Sequence, residues 1–145
     1  MPASLINQPA PDFLLPDHEG NMFQLHGQTG THALVLFFYP KDHSDGCTAE
    51  ACAFRDAYED FSDAGAKVVG ISRDSVESHA GFRKAHRLGF PLLSDPDGRV
   101  AQLFGVNHSL FRLLPGRVTF VVDKNGIIRK IFDSQLKFKK HMQEA

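Results

Sequence analysis

Apolar residues change their period several times along this chain, and each change marks an element. Ala33-Leu34-Val35-Leu36-Phe37-Phe38-Tyr39 is continuously apolar, the pattern of a central strand buried on both faces. Pro40 ends it. From Cys47 to about Ala64 the spacing becomes helical, with Ala51, Phe54, Tyr58 and Phe61 recurring at intervals of three and four on one stripe. Gly65 is a natural stop. Lys67-Val68-Val69-Gly70-Ile71-Ser72 reads as another buried strand. Asp74 or Ser75 is expected to cap a helix running to about Leu88, with Gly89 as its terminator.

Shorter signals fill the rest. Pro9 to Pro16 and Met22 to Leu25 read as two short strands around the turn Asp17-His18-Glu19-Gly20-Asn21. Phe90-Pro91-Leu92-Leu93 is a short extended segment, and Asp97 to Phe104 a short helix. Val118 to Val122 and Ile127 to Phe132 flank Asp123-Lys124-Asn125-Gly126, and Asn-Gly tolerates the positive φ of a tight hairpin turn. A last helix is expected from near Leu136. Strands alternating with helices, then a hairpin and a terminal helix, predict a thioredoxin-like α/β sandwich. It has a central mixed sheet flanked by helices and an N-terminal β-hairpin. With 145 residues and no linker, repeat or low-complexity tract, residues 1–145 are expected to form a single domain.

Composition narrows the function classes. The net charge is −1, with both signs interspersed, which offers no basic surface for nucleic acid or anionic lipid. No apolar run reaches the length of a membrane span, and Met1-Pro2-Ala3-Ser4 begins nothing like a signal peptide. Thirteen Phe and no Trp point to a core built from phenylalanine. The chain has only two cysteines, too few for a disulfide scaffold in a domain this size.

Those two, Cys47 and Cys52, sit at the start of the first long helix. On a wheel of about 100° per residue, Cys47 lies within about 40° of Ala51, Phe54, Tyr58 and Phe61, so it points along the buried stripe. The free N–H groups and positive dipole of a helix N-terminus favour a thiolate there. Cys52 is rotated roughly 140° and displaced about 7.5 Å along the axis, which separates the Cα atoms by roughly 8.6 Å. That exceeds the ~7 Å limit for a disulfide, so bonding the two requires the first turns of the helix to unwind. Two bland readings stand beside this one. As a Cys-x4-Cys pair in a helix, packing cysteines are as common as reactive ones. A metal site is disfavoured, since the sulfurs lie on different faces.

Around these residues the sequence resembles the peroxiredoxins, in their bacterioferritin-comigratory-protein or peroxiredoxin Q branch. The family motif Pro-x3-Thr/Ser-x2-Cys is met by Pro40, Ser44 and Cys47, with the branch's second Cys at Cys52. Phe38-Tyr39-Pro40-Lys41, Glu50-Ala51-Cys52, Phe54-Arg55-Asp56, Gly70-Ile71-Ser72, Leu92-Leu93-Ser94-Asp95 and Leu114-Pro115-Gly116-Arg117 also match, so the likeness covers nearly the whole chain. It implies thiol-dependent reduction of hydrogen peroxide or alkyl hydroperoxides. Cys47 would be the peroxidatic cysteine and Cys52 the resolving one, closing an intramolecular disulfide that thioredoxin or a similar dithiol protein reduces.

The resemblance also assigns roles around the thiol. Arg117 would favour the thiolate and donate to the peroxide, from the start of a strand beside the one leading to Cys47. Ser44 would supply a hydroxyl, and Pro40 would shape and shield the loop. No cofactor or metal is implied, and neither nucleic acid nor membrane is expected as a partner. A monomer is expected, in a bacterial cytoplasm or, as a mature form without its transit peptide, in a plastid. Ser44 replaces the commoner Thr, and Asp45 stands where the branch often has Pro, putting an acidic group beside the thiolate that His43 would counter when protonated. Glu50 would orient an arginine or favour the helix N-terminus. The other seven histidines show no ligand spacing and read as surface or helix-end residues. The alternatives are a peroxide-sensing switch without turnover and a thiol–disulfide oxidoreductase.

Overall fold

A computed structural model describes residues 5–28, 30, 32–39, 42–43, 45–63, 65–106 and 118–133, with the backbone alone at 45–47, 50, 59 and 133. The expected terminal helix near Leu136 lies outside the described residues, as do Pro40, Ser44 and Arg117. Among the described residues, seven strands and three α-helices follow one another: β1 (Leu14–Pro16), β2 (Met22–Gln24), β3 (Ala33–Phe38), α1 (Asp45–Asp63), β4 (Ala66–Ser72), α2 (Val76–His86), β5 (Leu92–Ser94), α3 (Arg99–Leu103), β6 (Val118–Val122) and β7 (Ile128–Asp133). No described helix is long and apolar enough to cross a membrane.

β1 and β2 form the expected N-terminal antiparallel hairpin, and the other five strands form one mixed sheet in the order β5-β4-β3-β6-β7. β4 runs parallel to β3 and β5 parallel to β4, while β6 is antiparallel to β3 and β7 antiparallel to β6. The first hairpin is shorter than its apolar stretch suggests. Of the residues before Leu14, Pro9 makes only an isolated bridge to Ile127.

β3 is central, and its alternating side chains divide the interior in two. Leu34, Leu36 and Phe38 join one apolar cluster with residues of the first hairpin, α3 and β6. Val35, Phe37 and Tyr39 join another with Ala51, Phe54 and Phe61 of α1 and Phe82 of α2. The stripe read from the sequence is therefore the inward face of α1. Phe37 stacks on Phe54 with ring centroids 4.8 Å apart and meets Phe90 edge-on at 5.7 Å. Opposite Phe37 in the register is Gly70. A Cβ built there would lie 2.8 Å from both Phe37 and Leu92, so the ring occupies the space a side chain would take.

Helix ends follow local chemistry, with one correction. Ser75 is the N-cap of α2, its side chain accepting from the Ser78 amide. The helix does not run to Leu88 or stop on Gly89. It ends at His86, and Arg87 takes the left-handed conformation at φ 54°. Turning the chain there buries Leu88 and lets its amide bond to the Arg83 carbonyl at 2.9 Å; that pairing offsets the ~1–2 kcal/mol cost of a left-handed non-glycine residue. In the β6–β7 turn, only Gly126 has positive φ, at 83°. The Asp123 carboxylate accepts from the Asn125 and Ile127 amides and completes the turn.

Candidate active site at the start of the first long helix

α1 begins at Asp45, which places Cys47 third in the helix and Cys52 on the same unbroken helix. The backbone of both is helical, so their Cα atoms keep the separation of roughly 8.6 Å set by helical rise and rotation. Cys52 is a free, half-buried thiol. The N–H groups of the first four residues of a helix have no intrahelical partner and carry its positive end, and Cys47 is among them. β6 starts at Val118, the residue after Arg117, and Val118 is in register with Phe38 at the end of β3. The strand that Arg117 precedes thus does run beside the strand leading to Cys47.

Between β3 and α1 lies a polar network that the sequence reading missed. Tyr39 Oη donates to Asp42 Oδ1 at 2.6 Å, and Ser78 Oγ donates to Asp42 Oδ2 at 2.8 Å. His79 Nδ1 lies 2.8 Å from the same Oδ2, and His79 Nε2 lies 2.9 Å from the Leu93 carbonyl oxygen. Both ring nitrogens thus face oxygen atoms, one on a carboxylate and one on the backbone. The Asp42 amide donates to Asp74 Oδ2 at 2.8 Å, and Ser72 Oγ donates to that same oxygen at 2.6 Å.

Asp42 and His79 are 2% and 0% exposed. Burial acts to raise the Asp42 carboxyl, but the bonds from His79, Tyr39 and Ser78 outweigh it and hold the carboxyl below its ordinary value. Burial first, and then the Asp42 charge, push the Tyr39 phenol well above its ordinary range.

Asp42, Asp74 and His79 bring ligand-type atoms within 4.8 Å of one another. Of the atoms that converge there, Asp42 Oδ2 already accepts from Ser78 and faces His79 Nδ1, and Asp74 Oδ2 already accepts from the Asp42 amide and the Ser72 hydroxyl. The trio does not fit a metal.

The expectation that histidines other than His43 lie at the surface or at helix ends fails at two places. His79 sits inside α2, three residues before the buried Phe82, on the inward stripe. That spacing was the available signal for it. The His18 side chain is only 9% exposed; burial, then the Arg83 charge, lowers its proton affinity. His43 is exposed, with its ring edge-on to Phe82 at 5.0 Å. Its φ of 66° turns the chain from Asp42 toward α1.

The AhpC/TSA family model matches residues 6–131. A chloroplastic peroxiredoxin Q of Sedum lineare is 48% identical over 135 residues, covering 93% of this chain and 72% of that one. Across other plant relatives of that name the chain spans 62–64% of their length. Among solved structures, the peroxidoxin BcpB of Mycobacterium tuberculosis superposes with a TM-score of 0.88 at 38% identity, covering 96% of this chain and 92% of that one. The bacterioferritin comigratory protein of Xanthomonas campestris, whose structures concern alkyl peroxide reduction, gives 0.83 at 33% identity, with 91% and 86% covered. Together with the mixed sheet, the N-terminal hairpin and two thiols five residues apart on one helix, these likenesses place the chain in the AhpC/TSA family, in its peroxiredoxin Q branch.

Proposed function

We propose that the chain is a thiol peroxidase that uses one intramolecular disulfide per turnover. The observation that carries this reading is the position of Cys47 and Cys52 on one continuous helix, the first of them in its opening turn. A thiolate at Cys47 attacks one oxygen of a hydroperoxide, and the O–O bond breaks. The other oxygen leaves with a proton as water or an alcohol, and Cys47 becomes a sulfenic acid. The Cys52 sulfur then attacks the Cys47 sulfur, the sulfenic oxygen departs as water, and a disulfide remains. A dithiol protein of the thioredoxin class supplies two electrons and two protons to restore both thiols.

Geometry orders these steps. Cys47 meets peroxide while α1 is wound, and Cys52 reaches it only once the first turns open. Arg117 stabilises the thiolate and the charge that develops on the peroxide oxygen. Ser44 supplies a hydroxyl to the same peroxide, and Pro40 shields the loop. Alkyl hydroperoxides join hydrogen peroxide as substrates, by analogy with the Xanthomonas protein. Resolution within one chain needs no second subunit, so the working unit is a monomer. Both compartments expected from the sequence suit the reading, with relatives named chloroplastic in plants and others found in bacteria.

Intact mass after one equivalent of peroxide tests the core of this proposal. Loss of two hydrogens in the wild type and gain of one oxygen in Cys52→Ser are the expected results. Full thioredoxin-dependent turnover by Cys47→Ser overturns the assignment. Consumption of one equivalent with no further turnover replaces the enzyme with a peroxide-sensing switch.

A further inference from the structure

The chain enters α1 from a residue with an unusual number of ties. Asp42 stands three positions ahead of Asp45, the first residue of the helix. Its carboxylate takes Tyr39 from the end of β3 and Ser78 and His79 from α2. Its amide is bound by Asp74 from the β4–α2 connection, and His79 passes the contact on to β5 through the Leu93 carbonyl. The left-handed His43 next to it is a conformation that persists only where its surroundings hold it.

A second set of ties begins further along. Ala51 and Phe54 are 1% and 0% exposed, and Arg55 Nη1 donates to the His86 carbonyl oxygen at 2.8 Å. Between the two anchors, His43 and Ala49 are exposed and Thr48 is half-buried. Cys47 thus lies in a short stretch of chain between two anchors, one at Asp42 and one at Ala51 and Phe54.

We infer that the buried Asp42–His79 pair, with the Ser78 hydroxyl, is a positioning device for Cys47. It fixes the near end of this stretch, so that the start of α1 winds back to one geometry after each opening. The inference rests on the reading of Cys47 as the reacting thiol. A peroxide-reactive form populated only part of the time reacts in proportion to that population. Loosening the near anchor lowers the wound population, which slows the reaction of Cys47 with peroxide. It does not slow closure of the disulfide, which needs the unwound form. A group that merely stabilised the fold would not move these two steps in opposite senses.

The test uses the full chain in its reduced form, as wild type, His79→Gln, Asp42→Asn and the milder Ser78→Ala, with Ser78→Thr to restore the hydroxyl. Hydrogen exchange is read at amides 49–53, the first in α1 that have an i−4 carbonyl partner, and at the β4 amides 68–71. Stopped-flow measurement gives the rates of Cys47 oxidation and of disulfide closure.

In Ser78→Ala, protection at 49–53 is expected to fall on the order of tenfold, the loss of one hydrogen bond to a charged group, with β4 unchanged. Oxidation slows several-fold, closure is as fast or faster, and Ser78→Thr reverses both. Wild-type protection at 49–53 in Ser78→Ala overturns the inference, as does an equal loss at 68–71, or slowing of oxidation and closure together. Exchange needs no peroxide. A wild type that consumes none overturns the peroxidase reading and leaves the exchange result interpretable.

Discussion

Gly70→Ala sets two effects of opposite sign against each other. Replacing a strand glycine with alanine reduces the freedom of the unfolded chain and would stabilise an unobstructed site by about 0.4–1 kcal/mol. This site is obstructed. The new Cβ would meet Phe37 Cζ and Leu92 Cδ2 at 2.8 Å, closer than real Cβ contacts come.

Neither neighbour has room to yield. Both are wholly buried, and the Phe37 ring is held by Phe54 at 4.8 Å, Tyr39 at 5.4 Å and Phe90 at 5.7 Å. Overpacking of this kind costs about 1–3 kcal/mol, so a net loss of roughly 0.5–2 kcal/mol is expected. With an unfolding entropy of about 2 cal/mol/K per residue, that corresponds to a fall in Tm of roughly 2–7 °C for a chain of this length. Thermal melts of the reduced protein by circular dichroism measure it. Gly70→Ala in a Phe37→Leu background should lose less than in the wild type, because the smaller side chain vacates the contact. A Gly70→Ala protein that melts higher than the wild type refutes the steric argument.

Other perturbations have equally definite outcomes. His18 is held below its ordinary value of 6.5, first by burial, so the unfolded chain binds the extra proton more readily. Its contribution to stability is complete above pH 6.5 and is lost as pH falls through the lowered folded value. Denaturant melts between pH 4 and 8 should show this loss, and His18→Gln should flatten it. Asp42, also lowered, adds a second loss at lower pH, below its ordinary 3.8, that survives in His18→Gln. Asp95 accepts from the Val100 and Ala101 amides at 3.2 and 3.0 Å and is 2% exposed. Asp95→Ala should therefore cost about 1–2 kcal/mol in an equilibrium melt. Arg117→Gln should slow Cys47 oxidation by on the order of 10²-fold, the scale of losing one donor to a developing oxyanion, with disulfide closure unchanged.

The parts of the fold that were legible in advance are those set by local period and local chemistry. The seven-residue apolar run suited a strand buried on both faces, and the Ala51–Phe61 stripe suited a helix packed on one. Gly65, at φ 80°, ended that helix as expected. The end of α2 was misplaced because burial of Leu88, a tertiary event, decided it over the glycine that follows. In the site, the two cysteines announced themselves by spacing, and the surrounding motif by resemblance. Asp42, Ser78 and His79 did not, because they meet across 36 and 37 positions of sequence. The spacing that puts His79 on the inward stripe speaks for its burial but says nothing of the carboxylate it meets.

The division of the interior by β3 bears on how many times such a molecule can cycle. The cluster on one face draws on the first hairpin, β6, β7 and α3, and among the described residues takes none from α1 or α2. On the proposed cycle, opening the start of α1 would leave that half of the protein intact as a template. Rewinding would then be the extension of an existing helix, an event on the scale of nanoseconds per residue, against a sheet that had stayed paired. On that cycle, wear from repeated oxidation would fall on the start of α1 and not on the sheet behind it.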